Sequence, residues 1–185
     1  MSSRETTTPR IWTFEECEPF DTPFRPASVK FPKPRARPDG DTFDVLINVG
    51  FDIEGVAARV RLCGESWILS GGKIGFNAWE RKGDERERGD EAYRRRVELC
   101  APGDKVLIRS FKGGSRGSLN RWLALILVNL SRNEEGVLVR TELGAEGSGW
   151  YSLADVLQHE GHGREWWRGW SQGAPRPRIT FEKES

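Results

Sequence analysis

Apolar and polar residues alternate in several short runs along this chain, the period of two that a half-buried strand imposes. Residues 42–50 form one such run. A second, 55–62, sends Val56, Ala58, Val60 and Leu62 to one face and Arg59 and Arg61 to the other, with 51–54 as the connecting bend. Residues 105–111 read as a strand, and so do 121–129, apolar enough at their middle to be buried on both faces. The turn 133–136 sends 137–140 back, and 27–31 reads as one more short strand. Residues 63–74 read as a hairpin-like excursion turning on Gly71 and Gly72. Two segments carry helical signals. One runs from Asp90 to Cys100, packs through Ala92, Val97, Leu99 and Cys100, and stops at Pro102-Gly103. The other runs from Ser152, an N-cap with Asp155 at the capping-box position, to a stop at Gly161.

Short strands with one helix after the third and another near the end predict a mainly β, α+β fold. The order fits a five-stranded OB-type Greek-key barrel with two to three packed helices. Prolines 19, 23, 26, 32, 34 and 38 exclude a long helix before the first full strand, because each removes a donor and restricts its predecessor. The expected organisation is an extended or partly disordered N-terminal segment over 1–26, a barrel domain over 27–170 and a flexible tail over 171–185.

Composition narrows the function classes only in part. The chain has 185 residues, 36% of them hydrophobic, enough for one core of ordinary size. Lys and Arg number 29 against 28 Asp and Glu, so only a local basic face would attract a polyanion. Cys17, Cys63 and Cys100 form no CxxC pair and read as packing residues in a reducing compartment. With no apolar run of bilayer length and no signal-peptide layout, the expectation is a cytoplasmic monomer without a membrane partner.

The candidate chemistry starts at Asp39-Gly40-Asp41-Thr42, a tight acidic turn that opens a strand and so puts carboxylate oxygens at the strand's end. Such oxygens suit Ca²⁺, although an Asp-Gly turn also caps its own backbone. An EF-hand is excluded, since Asp44 and Gly50 stand where that loop needs glycine and glutamate. Further along come Arg61-Leu62, then Gly75-Phe76-Asn77-Ala78-Trp79-Glu80, then Asn120-Arg121-Trp122-Leu123-Ala124, and finally residues 152–157 with Glu160-Gly161-His162. In this order, over residues 39–167, the motifs resemble the staphylococcal (micrococcal) nuclease family, the thermonuclease-like phosphodiesterases.

The resemblance implies a Ca²⁺-dependent endonuclease that acts on single-stranded or loosened DNA and, as a second substrate, RNA. It makes Asp41, Asn77 and the main-chain carbonyl of Ala78 the metal ligands and Glu80 the general base. Arg61 and Arg121 become the phosphate clamps, a role suited to a planar five-donor cation. Trp167, with Trp166 beside it, falls where the family carries a base-stacking aromatic; packing in the core is an equal reading of both. Three positions depart from the family pattern. Asn77 replaces an aspartate, Trp79 replaces a proline, and residues 63–74 intervene between the Arg-Leu pair and Gly75. With that insertion, Arg59 and Lys73 are the alternatives to Arg61 as first clamp. A barrel that binds nucleic acid without cutting it is the alternative function, with a metal site weakened by Asn77.

Overall fold

The computed structural model describes residues 9, 11–12, 24–30, 38–48, 55–111, 122–167, 173 and 175–177. Expectations about 31–37, 51–54, 113–118, Arg121 and Trp170 lie outside the described residues. In chain order the first strands are β1 (Ile11–Trp12), β2 (Arg25–Val29), β3 (Thr42–Ile47) and β4 (Val56–Leu62). Then come helix α1 (Glu65–Leu69), β5 (Ile74–Ala78), a 3₁₀ turn at Gly83–Glu85 and helix α2 (Arg86–Leu99). They are followed by β6 (Lys105–Phe111), β7 (Trp122–Arg132), β8 (Leu138–Arg140), β9 (Gly149–Ser152), helix α3 (Leu153–His159) and β10 (Gly163–Trp167).

Five strands close into a barrel. β3 pairs antiparallel with both β2 and β4, β2 pairs with β6, and β6 with β7. The ring closes where β4 runs parallel to β7, with Val60 opposite Trp122 and Leu62 opposite Ala124. This is the OB-type α+β barrel that the strand order predicts. The alternation read from the sequence holds except at Val56, which is exposed where β4 begins: Phe43, Val45, Ala58, Val60, Leu62, Val106, Ile108 and Ile126 fill the interior. Arg59 and Arg61 take the outer face.

β7 is buried on both faces because a second, smaller core covers its outside. Leu125 and Leu127 pack there with Phe24 and Cys63, under Trp67, Ile68 and Trp150. The insertion 63–74 supplies part of this cover, and here the structure corrects the sequence reading. Residues 65–69 are helical, not one arm of a hairpin, and Gly71 and Gly72, both at positive φ, turn the chain after them. The helix has no apolar face of its own length to announce it. Its N-terminus is held from outside by the Asp155 carboxylate, which accepts the Glu65 N–H at 2.9 Å.

Other boundaries also moved. α2 begins at Arg86, four residues ahead of the expected start, and Arg96 is buried on its packing side with Ala92 and Leu99, whereas Val97 is only half-buried. β2 covers Arg25 to Val29, and Phe24 just before it is 1% exposed, so the cores take in residues that the sequence assigns to the N-terminal segment. β9 and β10, which the sequence patterning does not predict, are strands: β9 joins β7, and β10 pairs antiparallel with β5 in a separate two-stranded sheet. Among the described residues no helix is long and apolar enough to cross a membrane.

Candidate functional site

The acidic turn sits against β5 and α2. A Cβ on Gly40 would lie 3.2 Å from both the Ala78 side chain and the Ala92 backbone, so this approach has little room for a larger residue. From the turn the chain enters β3, where Thr42 stands opposite Arg61 of β4 and the Leu62 N–H donates to the Asp41 carbonyl at 2.8 Å. That register puts Arg61 beside Asp41.

Asp41 is 3% exposed. Its carboxylate accepts the Thr42 hydroxyl at 2.8 Å and the Ala78 main-chain N–H, and it faces the Arg61 guanidinium at 3.4 Å. Burial nevertheless raises its pKa above the ordinary aspartate value, with Asp39 adding a smaller push; Arg61, Thr42 and Ala78 counter this only in part. The same Arg61 guanidinium donates to the side-chain oxygen of Asn77, and its buried Nε has no acceptor among the described residues. Asp41, Arg61, Asn77 and Ala78 therefore meet at one end of the barrel.

The alternatives to Arg61 are placed elsewhere. Arg59 is held by Asp44 in a two-pronged pair, 2.9 and 3.1 Å, and Lys73 lies exposed in the turn before β5 with its N–H on Ser70. Arg121 lies outside the described residues; its neighbour Trp122 pairs with Val60, one register position from Arg61.

Glu80 follows β5 with its side chain 47% exposed, and Lys82 Nζ is 2.9 Å from its carboxylate. Its backbone is held tightly. The Glu80 N–H donates to Glu85, the Arg81 N–H donates to Asp39, and the Glu80 carbonyl lies where a Cβ on Gly89 would stand, 2.3 Å away. Asp39 thus ties the acidic turn to the segment after β5. Trp79 is tied to the turn after α3: its indole N–H donates to the Gly161 carbonyl at 2.7 Å, with Arg88 and Arg164 lying 4.0 and 4.9 Å from its ring.

β10 brings in residues that the sequence reading did not connect with this site. Arg164 stands directly opposite Asn77 and pairs with Glu85 at 3.1 Å. Trp167 stands opposite Ile74, three residues from Asn77 along the strand, about 10 Å away. Trp166 is half-buried, its indole donating to the Phe76 carbonyl and its ring 6.3 Å from that of Trp67, which makes it a packing residue. The five-residue β10 carries no unbroken apolar-polar alternation, so its pairing with β5 had no signal in the sequence.

Among the described residues no three His, Cys, Asp or Glu side chains gather. A divalent cation at this site would rest on the Asp41 carboxylate, the Asn77 amide oxygen and the Ala78 carbonyl. These are hard oxygen donors that fit Ca²⁺ in type, and a desolvated carboxylate whose charge is incompletely balanced favours a cation. They bring a single negative charge, which fits weak binding. His159 and His162 stand at the end of α3, the latter 3.9 Å from Glu160, and Cys63 and Cys100 are buried thiols. Burial pushes the Cys100 thiol up to about 12 and raises Cys63 as well, so both are inert packing groups. The sequence matches no protein-family model and no curated protein.

Proposed function

We propose that this chain is a Ca²⁺-dependent endonuclease of the thermonuclease-like kind, hydrolysing phosphodiester bonds in single-stranded or loosened DNA and, as a second substrate, RNA. One observation carries the reading. Asp41, Arg61 and Asn77, far apart in the chain, meet through their side chains, and Glu80 follows three residues after Asn77 on a clamped backbone.

A phosphodiester is an anion, so attack on it needs charge neutralised and a base for the water. Arg61, already at the Asp41–Asn77 pair, has a buried Nε free to donate to a phosphate oxygen, and Arg121 is the second clamp. Glu80 takes the proton of the attacking water; its exposed carboxylate exchanges Lys82 for that water when substrate enters. Asp41, Asn77 and the Ala78 carbonyl would hold Ca²⁺, which would supply positive charge to balance the phosphate. Trp167 offers a surface for a base farther along the strand.

The second reading is a barrel that binds nucleic acid without cutting it. It is favoured by the Arg61 guanidinium, which engages both side-chain ligands of the cation site. The deciding experiment measures cleavage and binding of single-stranded DNA and of RNA with Ca²⁺, Mg²⁺ or EDTA, beside Glu80→Gln. Calcium-dependent cutting that falls about 10²-fold or more in the variant, with binding kept, is expected. Binding without cutting in every metal selects the second reading, and neither binding nor cutting rejects both.

A further inference from the structure

A cavity of about 70 Å³ lies beside the candidate site, between α2 and strands β3 and β4. That is several times the space a single water requires. Phe43 and Arg59 in its wall are each two residues along their strands from Asp41 and Arg61, about 7 Å. Three cations line it, Lys30, Arg59 and Arg96, against one carboxylate, Asp44, which Arg59 already grips with two hydrogen bonds.

Arg96 is the unusual member. It is 3% exposed, yet no carboxylate pairs with it among the described residues. Its one hydrogen bond to a main-chain acceptor, the Cys100 carbonyl, is long at 3.5 Å, and its Nε has no acceptor. Phe43 and Tyr93 pack against the guanidinium at 5.2 and 4.8 Å. Arginine stays protonated in such a place, and a buried cation without a counter-charge is costly. The aromatic contacts and a hydrogen bond to the Tyr93 hydroxyl offset part of this and leave Nε without an acceptor.

We propose that this cavity is an oxyanion site, taking a tetrahedral phosphate group on Arg96, with Lys30 adding charge at the mouth. The group is either free inorganic phosphate or the terminal phosphomonoester of a nucleic-acid strand, which share this chemistry. The proposal stands whether or not the neighbouring site cuts phosphodiesters.

The test is calorimetric titration of the full chain with inorganic phosphate in EDTA at constant ionic strength, alongside the ¹⁵N resonance of Arg96 Nε. Saturable binding with a shift of that resonance is expected. Arg96→Met, which keeps length and removes charge, should weaken binding at least tenfold while keeping or raising the Tm without phosphate. Arg61→Met should leave the phosphate-induced shift of the Arg96 Nε resonance unchanged. If Arg96→Met does not fold, Lys30→Ala should weaken binding severalfold. Oligonucleotides with and without a 5′-phosphate then identify the source: preference for the phosphorylated one assigns the strand end, equal weak binding assigns free phosphate. Phosphate acting no differently from chloride overturns the proposal, as does full binding by Arg96→Met or loss of that shift in Arg61→Met.

Discussion

The side-chain oxygen of Asn77 accepts a hydrogen bond from the Arg61 guanidinium, which at the same time faces Asp41. An amide is enough for that bond but adds no charge, so among the described residues the cation at residue 61 is balanced by Asp41 alone. Asn77→Asp would put a second carboxylate at the site with little change of shape. It is expected to tighten Ca²⁺ binding about tenfold or more, because affinity in oxygen-donor sites follows the number of charged ligands. Calorimetric titration with Ca²⁺ measures this directly, and unchanged affinity would remove residue 77 from the ligand set.

Gly89 is where α2 touches the backbone that presents Glu80. A Cβ there would stand 2.3 Å from the Glu80 carbonyl, closer than real atoms approach, and that neighbour is backbone that cannot swing aside. Gly89→Ala should therefore cost about 1–3 kcal/mol despite the better helix propensity of alanine. Since the strain falls on residue 80, any nuclease activity should drop more than the loss of folded protein explains. Paired thermal melts and rates per folded molecule test both parts.

Burial pushes the Asp155 carboxyl up to about 6, with Glu65 and Glu165 adding to the rise and hydrogen bonds from Ser152 and Glu65 opposing it. The folded chain holds this proton to about pH 6, and an unfolded aspartate loses it near pH 4. The folded state thus binds more protons between those values, and stability falls as pH rises through the window, on the order of 2–3 kcal/mol. Asp41, also raised, contributes with the same sign; Asp90, lowered by Arg81, acts below about pH 4 with the opposite one. Asp155→Asn can still accept the Glu65 N–H and should flatten the Tm profile between pH 4 and 6. An unchanged slope would assign it to other groups.

Phe24 is 1% exposed in the outer core with Leu125 and Leu127. Phe24→Ala should cost about 3–5 kcal/mol. A truncation that begins at Ala27 loses Phe24 together with the Arg25 and Pro26 pairings to β6, and should melt well below one that begins at Phe24. Similar melting of the two would show that the outer core is dispensable.

What the chain's order of residues determined by itself was the set of strongly patterned elements. The alternation of Ala58, Val60 and Leu62 against Arg59 and Arg61 dictated which side of β4 faces the core, because a strand has only two faces. Ser152, accepting the Asp155 N–H, and Gly161, at positive φ, bounded α3 through local backbone chemistry alone. Tertiary structure decided what local pattern could not carry. α1 starts where Asp155, ninety residues away, meets the Glu65 N–H; β10 is a strand because β5 offers it an edge; and Arg96 is buried because Phe43 and Tyr93 close over it. The different surroundings of Arg61 and Arg59 were decided in the same way. Both project from one face of β4, and only the placement of Asp44 beside one and Asn77 beside the other tells them apart.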